Sequence, residues 1–210
     1  MITKEPQRKP VLVTLIRGLW FLLFVLEGSR TSLWAHPGHG VEAPHGFWHG
    51  FSHPWLGWDH LLAMVLVGLW GSRHQGRMCW SFPLAFVSGM LVGGMWGMQH
   101  AGGYWVETGI AFTLMACGLA VALNYELKSW IVAWGLLALF GGVHGWAHGA
   151  EMPFASRPWE YAAGFVLSTI LLHAVGIAGG IYARARQRML VVLRCGGVAV
   201  ATWGAWLLLG

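Results

Sequence analysis

Six apolar stretches follow one another along the chain, at roughly residues 54–72, 79–99, 105–124, 129–148, 158–182 and 189–209, with short polar breaks between them. Each is close to the ~20 residues that a helix needs to cross the hydrocarbon core of a bilayer. The pattern predicts an all-α integral membrane protein with six transmembrane helices. Glycine recurs in every stretch, and Gly89, Gly93, Gly94 and Gly97 crowd the second. Small residues let membrane helices approach closely, so a tight bundle is expected. Trp55, Trp58, Trp80, Trp105, Trp130 and Trp159 fall near the ends of the stretches, where an interfacial aromatic belt belongs.

The chain begins differently. Lys4, Arg8, Lys9 and Arg17 give a basic start and residues 18–26 a short apolar core, the layout of a cleavable signal peptide over residues 1–35. An uncleaved anchor helix is the competing reading, because Leu33 is large for the position three before the cut. Cleavage after Ala35 leaves residues 36–210 as a single six-helix membrane domain. Its new terminus, His36-Pro37-Gly38-His39 with His45 nearby, reads either as a loose metal collector or as a solvated leader. Pro37 has no N–H to offer a square-planar amino-terminal site.

Charge then fixes orientation. Arg73 and Arg77, Lys128, and Arg184, Arg186, Arg188 and Arg194 fall on one side of the six stretches, and Arg157 alone falls on the other. The basic side is expected in the cytoplasm. The mature N-terminus is then periplasmic, as a signal peptide also requires. With 56% hydrophobic and 10% charged residues and a mean hydropathy of +0.56, an ordinary soluble domain is excluded. Much of the net charge of +5 lies in the first thirty residues, so no nucleic-acid surface remains. Cys79, Cys117 and Cys195 show no CxxC spacing and read as apolar packing residues.

The chemistry sits on the side opposite the arginines. His53, Asp59 and His60 enter the first stretch, Glu107 opens the third, and His144 and His148 close the fourth with Glu151 just beyond. Ionisable groups at membrane depth are costly unless paired, hydrated or bound to an ion. His49/His53 and His144/His148 each stand four apart, which puts two imidazoles on one helix face. Pro54 and Gly57 are expected to interrupt the helix between His53 and Asp59, as at cavities in membrane proteins. Two readings stay open: a site for a divalent transition metal, or a hydrogen-bonded network holding the bundle. His49 reads equally as a surface histidine, and Glu107 and Glu151 as hydrated acids. His173, about 20 Å into the fifth stretch at helical rise, is a second stop for an ion or a packing histidine.

These motifs carry a resemblance. The chain is similar to the HupE/UreJ family in His36-Pro-Gly-His39, in Gly46-Phe-x-His-Gly-Phe-x-His53-Pro-x-x-Gly-x-Asp59-His60-Leu-Leu-Ala-Met64, and in Val106-Glu107-x-Gly109. His144-Gly-x-Ala-His148-Gly-x-Glu151 and Leu172-His173-x-x-Gly176 continue it. The resemblance implies a nickel permease of the bacterial inner membrane that supplies hydrogenase or urease maturation. It implies no enzyme activity and no prosthetic group, with Ni²⁺ or Co²⁺ as cargo. By position, His53, Asp59, His60, Glu107, His148 and Glu151 would be the transport residues. The residues themselves favour imidazole-seeking ions over Mg²⁺ or Ca²⁺. A cobalt permease, an intramembrane zinc-dependent hydrolase and a non-transporting metal sensor or assembly subunit stay open. So do a homo-oligomer and an accessory metallochaperone as partners beside the lipid bilayer.

Overall fold

The computed structural model of the protein describes residues 46–100, 102–152 and 157–209, without the side chain of Arg77. The expected signal segment 1–35 and His36, His39 and His45 of the leader lie outside the described residues. Every regular element among the described residues is helical. They are α1 (Phe47–Leu56), α2 (Trp58–Gly71), a 3-10 helix (Gly76–Trp80), α3 (Ser81–Gly97), α4 (Tyr104–Ala122), α5 (Trp130–Ala150), α6 (Pro158–Arg184) and α7 (Gln187–Leu209). Met78–Gly97 and α4 to α7 are long and apolar enough to cross a membrane. These five match the last five expected spans to within a few residues.

The first expected span is a broken helix. Gly57, with φ −105° and ψ 119°, is extended and separates the ten residues of α1 from the fourteen of α2. Fourteen residues rise about 21 Å, short of the ~30 Å hydrocarbon core. The interruption falls on Gly57, whereas Pro54, expected to share in it, lies buried within α1. Pro54 brings no N–H to the carbonyl of Gly50 one turn earlier, but the helix turns on for two more residues.

α1 and α2 lie end to end along the unbroken α6. A side chain added at Gly50 would meet the Tyr161 carbonyl, one at Gly68 the His173 carbonyl, and one at Gly180 the Ser72 side chain. Between these contacts Trp55 Nε1 donates to Ser168 Oγ at 2.7 Å. Residue numbers rise together on both partners, so the broken and unbroken helices run parallel. α3 and α5 are also parallel, with Gly89, Gly93 and Gly97 backed against the carbonyls of Ala138, Gly142 and Trp146. α4 and α7 run antiparallel, with Gly118 against Gly197 and Gly204 against Ala111. These directions are the ones that six alternating crossings require.

Met64, Phe86, Leu114 and Leu137 are fully buried where the helices meet. Large apolar side chains such as Val92, Leu139, Val175 and Val198 stay exposed on the outside, as lipid-facing positions do. The tryptophans expected at an interface are exposed near helix ends, among them Trp105, Trp130 and Trp159. At the basic end, the Arg73 guanidinium donates to Asn124 Oδ1 and Trp70 Nε1 to the Tyr125 carbonyl at 2.9 Å. These bonds tie the α4–α5 loop to the end of α2. Asn124 has φ 56°, a left-handed conformation that asparagine tolerates better than most residues.

Candidate functional site

Three elements supply the site. α1 carries His49 and His53, the start of α2 carries Asp59 and His60, and the last two turns of α5 carry His144 and His148. The break at Gly57 lets α1 and α2 each present ligands to α5. A Cβ at Gly57 would stand 2.8 Å from Asp59 Oδ1 and 3.2 Å from His60 Nδ1. Glycine therefore leaves the space into which the Asp59–His60 pair folds.

The histidines form a column. His53 and His148 have ring centroids 4.8 Å apart, His148 and His60 4.3 Å, and His60 and His144 5.2 Å. Phe86 follows, 5.3 Å from His144 and 5.5 Å from His173. His144 and His173 are fully buried and His148 nearly so. Both ring nitrogens of His144, His148 and His173, and Nε2 of His60, are buried without a hydrogen-bond partner. Each such nitrogen costs about 1–3 kcal/mol of lost hydration. Nitrogens left without a protein partner in this way are open to a bound ion or to ordered water.

Asp59 Oδ1 accepts from the backbone N–H of His60 and from His60 Nδ1, each at 2.9 Å. A carboxylate only accepts, so Nδ1 carries the hydrogen and the Nε2 lone pair is left for the column. A carboxylate that fixes a histidine tautomer in this way is a common support for a metal ligand. Asp59 also lies in the first turn of α2, where the helix dipole favours negative charge.

At the solvent-open end of the column, ligand atoms of His53, His148 and Glu151 all lie within 4.8 Å of one another. His53 Nε2 stands 3.8 Å from Glu151 Oε2. Imidazole nitrogens with one carboxylate suit borderline divalent ions such as Ni²⁺, Co²⁺ or Zn²⁺. Glu151 and Glu107 line an open hollow of about 370 Å³, and Glu107 is not one of the three-residue group. His49 sits 6.3 Å from His53 and 5.9 Å from Tyr161, ring to ring, at the edge of the column. His100 is elsewhere, stacked on Trp96 at 4.7 Å, and His74 packs on Phe82 at 4.9 Å.

The sequence reading singles out none of Phe86, Tyr161 and Phe165. Phe165 lies 4.2 Å from His148 and 6.2 Å from His53, and Tyr161 lies 6.0 Å from His53. A tyrosine inside an apolar stretch was the one available signal. The two phenylalanines are indistinguishable in sequence from the packing residues around them.

The profile of the HupE / UreJ protein family matches residues 23–207. Protein HupE of Rhizobium leguminosarum bv. viciae is 42% identical over 180 residues, covering 84% of this chain and 91% of that protein. No solved structure matches the chain.

Proposed function

Because the chain belongs to the HupE/UreJ family, we propose that it is a nickel permease, moving Ni²⁺ through the bacterial inner membrane into the cytoplasm for nickel-enzyme maturation. The observation that carries this reading is the column of imidazoles whose buried ring nitrogens have no protein partner. Glu107 and Glu151 draw the hydrated ion into the outer hollow. His53, His148 and Glu151 take it up, and His60 and His144 follow within 4.3 to 5.2 Å of the preceding ring. Such steps let one ligand attach before another leaves, so the ion is never stripped bare. Asp59 holds Nε2 of His60 ready and offsets part of the positive charge. Phe86 separates this cluster from His173, making passage around its ring a distinct step. His36 and His39 collect the ion before entry.

The chain carries no Walker A sequence. The driving force proposed is the membrane potential, worth ~2.3 kcal/mol per charge per 100 mV, together with metal capture in the cytoplasm. Proton-coupled release through the histidines is the alternative. Imidazole donors do not separate nickel from cobalt, and a cobalt permease would use the same column. One observation favours an intramembrane zinc hydrolase: two histidines and a glutamate are a ligand set found around catalytic zinc. Against it, His60, His144 and His173 continue inward beyond that set, which a hydrolytic centre does not need.

The test is uptake of radioactive ⁶³Ni²⁺ into proteoliposomes under an inside-negative potential, with Co²⁺ and Zn²⁺ as competitors. Wild type should accumulate nickel, and Asp59→Asn and His60→Ala should not. Tightly held stoichiometric metal without flux would bring the hydrolase or sensor reading forward instead.

A further inference from the structure

At the end of the bundle away from the histidine column, three arginines line one groove between α2, α4, α6 and α7. Arg73 follows α2, Arg184 ends α6 and Arg194 lies in the second turn of α7, and no carboxylate lines the groove with them. Their protein partners are few. Arg73 donates through one guanidinium nitrogen to Asn124, while its Nε is buried without a partner. Arg194 Nε donates to the Ala122 carbonyl at 2.8 Å. A guanidinium has five N–H donors, so most of the donor capacity is unused by these bonds.

The C-termini of α2, α4 and α6 end around this groove, and each carries a partial negative charge of roughly one half. Three whole positive charges exceed that sum, leaving the groove cationic. Apart from Ser72 and Asn124 the other walls are apolar, with Leu190 and Leu193 among them. Val191 and Val192 on the same turns of α7 are 57% and 50% exposed, on a helix of membrane-spanning length. The hollow itself is only about 20 Å³, so the arginines form a cationic rim rather than an enclosing pocket. Such a rim beside a lipid-facing helix, at the level where apolar surface gives way to arginine, matches an anionic headgroup resting on it with its acyl chains alongside.

We propose that this groove binds one anionic phospholipid, its phosphodiester held by Arg73, Arg184 and Arg194 and its chains lying along α7. The proposal rests on the membrane-spanning reading of α6 and α7 and is independent of what the histidine column carries.

Native mass spectrometry of the detergent-purified full chain tests it, with phosphatidylglycerol, phosphatidylcholine and inorganic phosphate as probes. One phosphatidylglycerol should be retained in preference to phosphatidylcholine. Arg184→Gln, an exposed position, should lower retention about fivefold, the effect of one arginine at a lipid surface. Arg186→Gln removes the same charge outside the groove, where Arg186 lies over the Tyr182 ring, and should leave retention unchanged. Equal retention of phosphatidylcholine, or equal losses in the two variants, would overturn the site. Displacement of the lipid by millimolar inorganic phosphate would overturn the lipid as its ligand.

Discussion

Gly57 is where one hydrogen atom in place of a methyl matters most. Its φ and ψ are ordinary for any residue, so an alanine there is not strained by the backbone. Its Cβ would instead press on Asp59 Oδ1 at 2.8 Å and turn the His60 ring away from the column. Gly57→Ala should therefore cut nickel uptake about tenfold, a barrier rise of about 1.4 kcal/mol, while Tm moves by no more than about 4 °C. Uptake and thermal unfolding on one preparation check it. An unchanged rate would separate the Asp59–His60 geometry from transport. His173 gives the complementary case. His173→Phe removes the proposed second stop beyond Phe86 without touching His53, His148 or Glu151. Calorimetry should find the outer nickel affinity within about threefold of wild type, whereas uptake falls at least about tenfold. A parallel loss of affinity would place His173 in the outer site.

Among elements, the parallel pair of α3 and α5 depends on backbone meeting backbone. A side chain at Gly93 would run into the Gly142 carbonyl, whereas nothing lies within 4 Å of one at Gly135. Gly93→Val should cost about 1–3 kcal/mol by overpacking and lower Tm by roughly 2–12 °C. Gly135→Ala should be neutral or raise Tm slightly, since alanine is the better helix former by about 1 kcal/mol. Thermal unfolding in detergent compares the two. At this scale the sequence was legible where composition speaks. Both ends of five helices fall within a few residues of the apolar boundaries, because length and charge alone bound a spanning helix. The broken first helix was half legible. Proline removes a donor in any helix, but whether the chain breaks there depends on tertiary support, and here Pro54 stays helical. The pairing of helices was not legible at all, since every stretch contains glycine and only contact tells which ones face a partner. The same limit hid Phe86: histidines in an apolar stretch announce themselves, and an apolar residue between two of them does not.

For the molecule as a whole, orientation and driving force are testable together. In a background lacking Cys79, Cys117 and Cys195, a membrane-impermeant thiol reagent should label Gly102→Cys on intact cells. Glu126→Cys, on the α4–α5 loop, should react only after permeabilisation. The reverse pattern would invert the expected sidedness. A dication driven by potential alone gains ~4.6 kcal/mol at 100 mV, a limiting accumulation on the order of a thousandfold. At zero potential, inside and outside nickel should merely equalise. Accumulation driven by a proton gradient without a potential would show that protons are coupled.

The spacing of the column also sets how traffic moves along it. Two dications on rings about 5 Å apart would repel by about 13 kcal/mol even at an effective dielectric constant of 20. Neighbouring imidazoles at 4.3 and 5.2 Å therefore cannot both be loaded. If the column is the nickel path proposed above, it works as a single-track line: no two adjacent berths are filled together, throughput saturates as the first berth fills, and one slow passenger holds up those behind it.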